Sequence, residues 1–171
     1  MNATQNFLLT ADKKYGQCDL KSWNYDDYCV FYVENQGVSV WAFKKADIDK
    51  DDPPVYESYD DGKTWYETCD KLSKFLISHA YLHAALSFEY SSEECFDADE
   101  EQAEAIAEKF PHADADSGLF TGVKFYKPYP DTVLYIMNMD DGYQVLFSSK
   151  DEEHFDETAD IVYDILGFDE E

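Results

Sequence analysis

The chain sets thirteen Lys and no Arg against 38 Asp and Glu in 171 residues, a net charge of −25. Phosphate-backbone binding runs on a surplus of Lys and Arg, so direct binding of nucleic acid is excluded and nucleotide chemistry is disfavoured. Anionic membrane surfaces are disfavoured for the same reason, while a hydrophobic content of 44% supplies a core for one ordinary domain over residues 1–171.

Met1-Asn2-Ala3-Thr4-Gln5 has no basic n-region, so no secretory signal is expected. No apolar run approaches the ~18 residues of a membrane span, and a cytoplasmic location is expected. Cys18, Cys29, Cys69 and Cys95 form no C-x-x-C pair and read as reduced thiols. The N-terminal ~25 residues carry little pattern apart from Phe7-Leu8-Leu9, and 167–171 read as an acidic tail.

From there the elements follow in order. Tyr28 to Val33 and Val38 to Phe43 are rich in Val, Tyr, Phe and Trp. Glu34-Asn35-Gln36-Gly37 joins them, which predicts a hairpin. Asp47 to Pro54 is a charged loop closed by two prolines. Val55 to Ser58 and Thr64 to Glu67 read as strands around Asp60-Asp61-Gly62. Thr68 or Asp70 can cap the next helix, whose apolar face is predicted at Leu72, Phe75, Leu76, His79, Leu82, His83 and Leu86. Residues 97–110 read as a second helix, with Asp97 as N-cap, Glu100 three residues on and a stripe at Ala103, Ile106, Ala107 and Phe110. Leu119 to Tyr126 looks extended. Thr132 to Met137 and Tyr143 to Phe147 form strands around Asp140-Asp141-Gly142. Ser149-x-x-Glu152 has capping-box form and opens a last helix, with Phe155, Ala159, Val162, Ile165 and Leu166 inward and Gly167 as stop. Hairpins mixed with separated helices predict an α+β fold, an antiparallel sheet with flanking helices.

The charge is concentrated. Residues 89–116 and 151–171 each carry a net −10, and residues 117–150 carry none. Glu100, Glu104 and Glu108 are four apart on one predicted helix, and Asp156, Asp160 and Asp164 on another. Like charges at that spacing cost about 0.2–0.5 kcal/mol per pair. One explanation is a solvated, solubilising face; the other is a patch that steers and holds a basic protein. On the second reading the partner-binding candidates are Glu93, Glu94, Asp97, Asp99, Glu100, Glu101, Glu104 and Glu108, with Asp156, Asp160 and Asp164 as a second set.

Other motifs lead less far. His79 and His83 have metal-like spacing but lie on the apolar stripe and lack the Glu of a zincin, so core histidines are expected. Asp47, Asp49 and Asp51 imitate a calcium loop, yet Asp52 and Ser58 stand where Gly and Glu are required. Asp114-Ala115-Asp116-Ser117-Gly118 reads as a turn. Trp23, Tyr25, Tyr28, Tyr56, Tyr59, Trp65 and Tyr66 cluster in the first half, where core packing and interface roles both suit them. No phosphate loop, nucleophile elbow or Cys/His arrangement stands out, so no catalysis, cofactor or metal is expected; a carboxylate-based hydrolase is the enzymatic alternative.

Phe31-Tyr32-Val33-Glu34-Asn35-Gln36-Gly37-Val38, Trp41-Ala42-Phe43, Asp51-Asp52-Pro53-Pro54-Val55-Tyr56, Trp65 and Leu72-Ser73-Lys74-Phe75-Leu76 together resemble the SUKH superfamily, the Smi/Knr-like immunity proteins and cell-wall regulators. The match covers about residues 28 to 88, with Trp41-Ala42-Phe43 where Trp-Gly-Ile is common. The family's opening helix has no counterpart before it. The resemblance implies an α+β fold, no catalysis, and neutralisation of a bacterial toxin, often a nuclease, by direct protein binding. A regulatory or scaffold module of the same fold is the alternative. It also implies structural roles for Gly37, Pro53, Pro54, Trp41 and Val55.

Overall fold

The structure, a computed structural model, describes residues 25–34, 37–92, 94–115 and 122–168. Phe7-Leu8-Leu9, Cys18, Trp23, Asn35, Gln36, Glu93, the end of the Asp114–Gly118 turn and the last residues of the acidic tail lie outside the described residues. The described residues build two antiparallel sheets and α-helices, an α+β architecture. They fall into two compact units that divide between Leu76 and Ile77.

The first unit is a four-stranded meander of β1 (Tyr28–Val33), β2 (Val40–Lys44), β3 (Val55–Ser58) and β4 (Tyr66–Cys69). The β1–β2 hairpin is as expected, but β2 begins two residues late: Val38 is 60% exposed and Glu34 N–H bonds Ser39 C=O at 2.9 Å. Gly37 sits at φ 73° in the link, a conformation that favours glycine. Trp41 is 1% exposed and packs at 5.9 Å between ring centroids on Phe75, which also meets Phe31 and Tyr32. Val55 is fully buried and Pro53 is buried. Elsewhere in this unit Trp65 stacks on Tyr28 at 4.2 Å, with Tyr25 edge-on to Trp65 and Tyr56 edge-on to Tyr28.

β4 starts at Tyr66 rather than Thr64, because the Asp60 carboxylate captures the Thr64 N–H at 2.8 Å and extends the turn. Bonds from Thr64 hold Asp60 down at about 2.

Helix α1 spans Leu72–Ser87. Its expected caps, Thr68 and Asp70, are replaced by Asp52. The Asp52 carboxylate accepts from Ser73 N–H at 2.8 Å and from the Ser73 hydroxyl at 2.6 Å, and Pro53 C=O takes the Leu72 N–H. Asp70 instead pairs with Lys74. A capping bond of this kind satisfies one of the orphan donors of a helix start, so the Asp-Pro-Pro turn and α1 fix each other. The inward face also differs. Phe75, Ser78, His79 and Ala85 are buried, whereas Leu76 and Leu86 are exposed; the true face is rotated towards the small residues.

The second unit centres on the sheet β5-β9-β8-β7, with β6 also on β9. The strands are β5 (Tyr90–Ser91), β6 (Phe96–Ala98), β7 (Lys124–Tyr126), β8 (Thr132–Met139) and β9 (Gly142–Ser149). β8 and β9 pair along their whole length in a long hairpin, with Leu134 opposite Phe147 and Tyr135 opposite Leu146. Side chains alternate across a strand, and here both faces are covered. Leu134, Ile136, Val145 and Phe147 meet α2 (Glu100–Lys109) and α3 (Glu152–Leu166) through Ala103, Ile106, Phe110, Ala159 and Val162. Val133, Tyr135 and Leu146 meet Ala85 of α1 with Phe125 and Val123. Each fully buried Leu, Ile, Val or Phe contributes about 1.5–3 kcal/mol, and Phe147→Ala would remove about 3–5 kcal/mol.

The caps of α2 and α3 are shifted from expectation. Asp97 lies in β6, opposite Gln144, and so cannot cap. Asp99 is the N-cap: its carboxylate accepts Gln102 N–H at 2.8 Å while the Gln102 side chain accepts Asp99 N–H at 3.0 Å. Asp151, not Ser149, caps α3 through His154 N–H; Ser149 ends β9 and bonds Thr132 at 2.9 Å. Gly167 ends α3 at φ 78° as expected. Among the described residues no helix is long and apolar enough to cross a membrane.

Candidate functional site: the acidic helical face

α2 and α3 place their apolar stripes on one face of the second sheet, which leaves their opposite sides to solvent. They also bond each other, Gln102 Nε2 donating to Leu166 C=O at 3.3 Å. Gln102 thus bonds twice, accepting at the cap and donating to α3. A Glu there would lose the donor.

The exposed side of α2 carries Glu100, Glu101, Glu104 and Glu108, all exposed. On α3, Asp156, Asp160 and Asp164 are exposed as well. Glu94, Asp97 and Asp99 are exposed on the approach to α2. Two of these do local work: Asp99 caps α2, and Asp97 sits on β6 beside the β8–β9 turn, where it lines an open depression of about 490 Å³ with Asp140 and Asp141. Asp156 and Asp160 line a second depression, of about 580 Å³, together with Asp151, Glu152, Glu153, Glu157, Tyr90 and Lys150. Glu153 and Glu157 were not singled out from sequence, although they share the spacing of their neighbours.

Position on the helix separates stabilising acids from costly ones. Glu100 and Glu101 on α2, and Glu152 and Glu153 on α3, occupy first turns, where the helix dipole favours negative charge. Glu108 and Asp164 stand near C-terminal ends, where it disfavours them by about 0.3–1 kcal/mol each. α3 has no basic residue in its last turn to offset this. Helix stability therefore explains the first-turn acids and not the continuation of the row.

The remaining titratable groups are structural in setting. His79 is 2% exposed, and burial, then His83, pushes it down to about 4. The two rings meet edge to face at 4.8 Å, and both are neutral near pH 7. Buried Glu57 is raised by desolvation, against the lowering effect of bonds from Tyr59 and Ser39. Cys69 donates to Lys71 C=O at 3.1 Å, and the Cys95 thiol lies 3.3 Å from the Tyr135 hydroxyl. Asp47 of the calcium-like loop pairs with Lys50 at 2.8 Å. Among the described residues, no group of three or more His, Cys, Asp or Glu is placed to hold a metal ion.

No family model, curated protein or solved structure matches the chain.

Proposed function

We propose that this protein is a non-enzymatic, immunity-type inhibitor that binds a cognate bacterial toxin domain through the acidic side of α2 and α3. The observation that carries the reading is the placement of Glu100, Glu101, Glu104, Glu108, Asp156, Asp160 and Asp164: all are exposed, on two helices packed on the same sheet face, and the row runs on where helix stability disfavours it. A face of one sign raises encounter rates with an oppositely charged partner and rejects like-charged ones. A toxin that cuts nucleic acid carries a basic surface for its substrate, and a carboxylate face suits that surface. The motif succession between residues 28 and 88 supports the same reading by resemblance.

Co-expression with candidate toxin domains drawn from neighbouring genes tests it. Rescue of growth and co-elution of a one-to-one complex are the expected results. Cell death at the same rate with and without the chain, with no complex eluting, would refute it. Capture of a resident host protein instead would point to a regulatory module of the same fold.

A further inference from the structure

Lys127-Pro128-Tyr129-Pro130-Asp131 leads into β8. Two prolines fix φ at their own positions and restrict the residues before them, so Tyr129 is presented with little backbone freedom left to lose. The turn is pinned by backbone bonds from Lys127 N–H to Pro111 C=O, from Thr132 N–H to Tyr129 C=O, and from Lys150 N–H to Asp131 C=O. From it the Tyr129 ring lies flat on His154 of α3, with centroids 4.1 Å apart and planes 4° from parallel. The Tyr129 hydroxyl donates to Glu157 Oε2 at 2.5 Å. His154 Nδ1 lies 2.8 Å from Asp131 Oδ1 and 3.8 Å from Asp151 Oδ1.

The imidazole is thus bracketed by carboxylates from two directions. Asp131 and Tyr129 face it from the turn, and Asp151 and Glu157 from α3 itself. Of the elements packed on α3, β5 brings Tyr90 and β9 leads into Lys150, both beside the acids at the start of the helix. The charged residues of α2 are Glu100, Glu101, Glu104, Glu108 and Lys109.

We propose that this stack is a proton-operated strap: protonated His154 holds the Tyr129–Asp131 turn against the first turns of α3, and loss of that proton loosens it. A charge-assisted bond to a carboxylate is roughly twice as strong as a neutral one, and an imidazolium over a phenol ring gains a cation–π attraction. The neutral ring keeps at most an ordinary hydrogen bond, and Asp131, Asp151 and Glu157 then face each other without a cation between them. The bond to Asp131 raises His154 above its ordinary range. A group raised in the folded state contributes fully below its unfolded value of about 6.5, and that contribution is lost as pH rises through the folded value. Opening therefore falls on the alkaline side, and it leaves the start of α3 one charge more negative. The strap is independent of any partner.

Nuclear magnetic resonance on the full chain tests this by following the His154 ring resonances and the cross-peaks between the Tyr129 and His154 rings across pH. His154 should titrate above its ordinary value, and the ring-to-ring cross-peaks should weaken with the same midpoint. Asp131→Asn should move both midpoints down together, and Glu157→Gln, which keeps an acceptor for Tyr129, should move them down by less. Cross-peaks that stay constant while His154 titrates, or a His154 that titrates at or below its ordinary value, would overturn the proposal.

Discussion

Mild acid should destabilise this protein through His79. The side chain is buried, and desolvation holds it at about 4, against about 6.5 in an unfolded chain. Between those values the unfolded state binds the proton and the folded state does not, so stability falls as pH falls from about 6.5 and levels off near 4. The whole step is on the order of 3 kcal/mol, of which about 2 kcal/mol is lost by pH 5. Two effects run the other way. Glu57, raised by burial, favours the folded state as it protonates. Relief of self-repulsion in a chain of charge −25 also helps. Both persist in a His79→Gln variant, so the difference between the two proteins isolates the histidine. Urea unfolding of each, from pH 7.5 to 4.5, should show the wild type losing about 2 kcal/mol more than the variant by pH 5. Parallel stability curves between pH 6.5 and 5 would refute the reasoning, whatever the absolute stabilities.

Asp52→Ala removes both side-chain bonds to Ser73 at the start of α1 and should cost about 1–2 kcal/mol in chemical denaturation; Asp70→Ala, which loses an exposed pair with Lys74 and a long 4.0 Å contact from the Cys69 thiol, should cost well under half of that. Gln102→Glu keeps the cap acceptor but loses the donor to Leu166 and should cost about 1 kcal/mol, a loss that Gln102→Ala would exceed. Replacing Glu100, Glu104 and Glu108 together by Gln should leave the circular dichroism spectrum unchanged and raise the melting temperature slightly: two i,i+4 repulsions of about 0.2–0.5 kcal/mol each are relieved, while the dipole interaction lost at Glu100 is offset by the one relieved at Glu108.

What the sequence revealed follows from how local each signal is. The β8–β9 hairpin was legible because Asp141-Gly142 marks its turn between two strongly apolar runs. The α3 stripe was legible because Phe155, Ala159 and Val162 recur at helical spacing. β5 and β6 were not, since two- and three-residue strands carry no periodicity and exist only because β9 offers an edge. Their presence moved the α2 cap from Asp97 to Asp99. The cap of α1 was hidden for a different reason: Asp52 reaches it from 21 residues away, and only the folded chain brings the two together. Leu76 and Leu86 misled because leucine counts as apolar wherever it stands, while the buried face of α1 is written in Ser78, His79 and Ala85. In the candidate site, exposure of the acids followed from their charge. The Tyr129–His154 stack had no signal, because its partners are 25 residues apart.

The central claim, that the acidic side of α2 and α3 meets the partner, is tested most directly by the association rate of the proposed toxin partner with the wild type and with the Glu100→Gln, Glu104→Gln, Glu108→Gln protein, at low and high salt. The account predicts slower association for the variant at low salt, and a gap that closes as salt screens exposed charges over about 10 Å at 0.1 M. Equal rates at low salt, with the variant at least as stable as the wild type, would contradict it and leave this face a solubilising one.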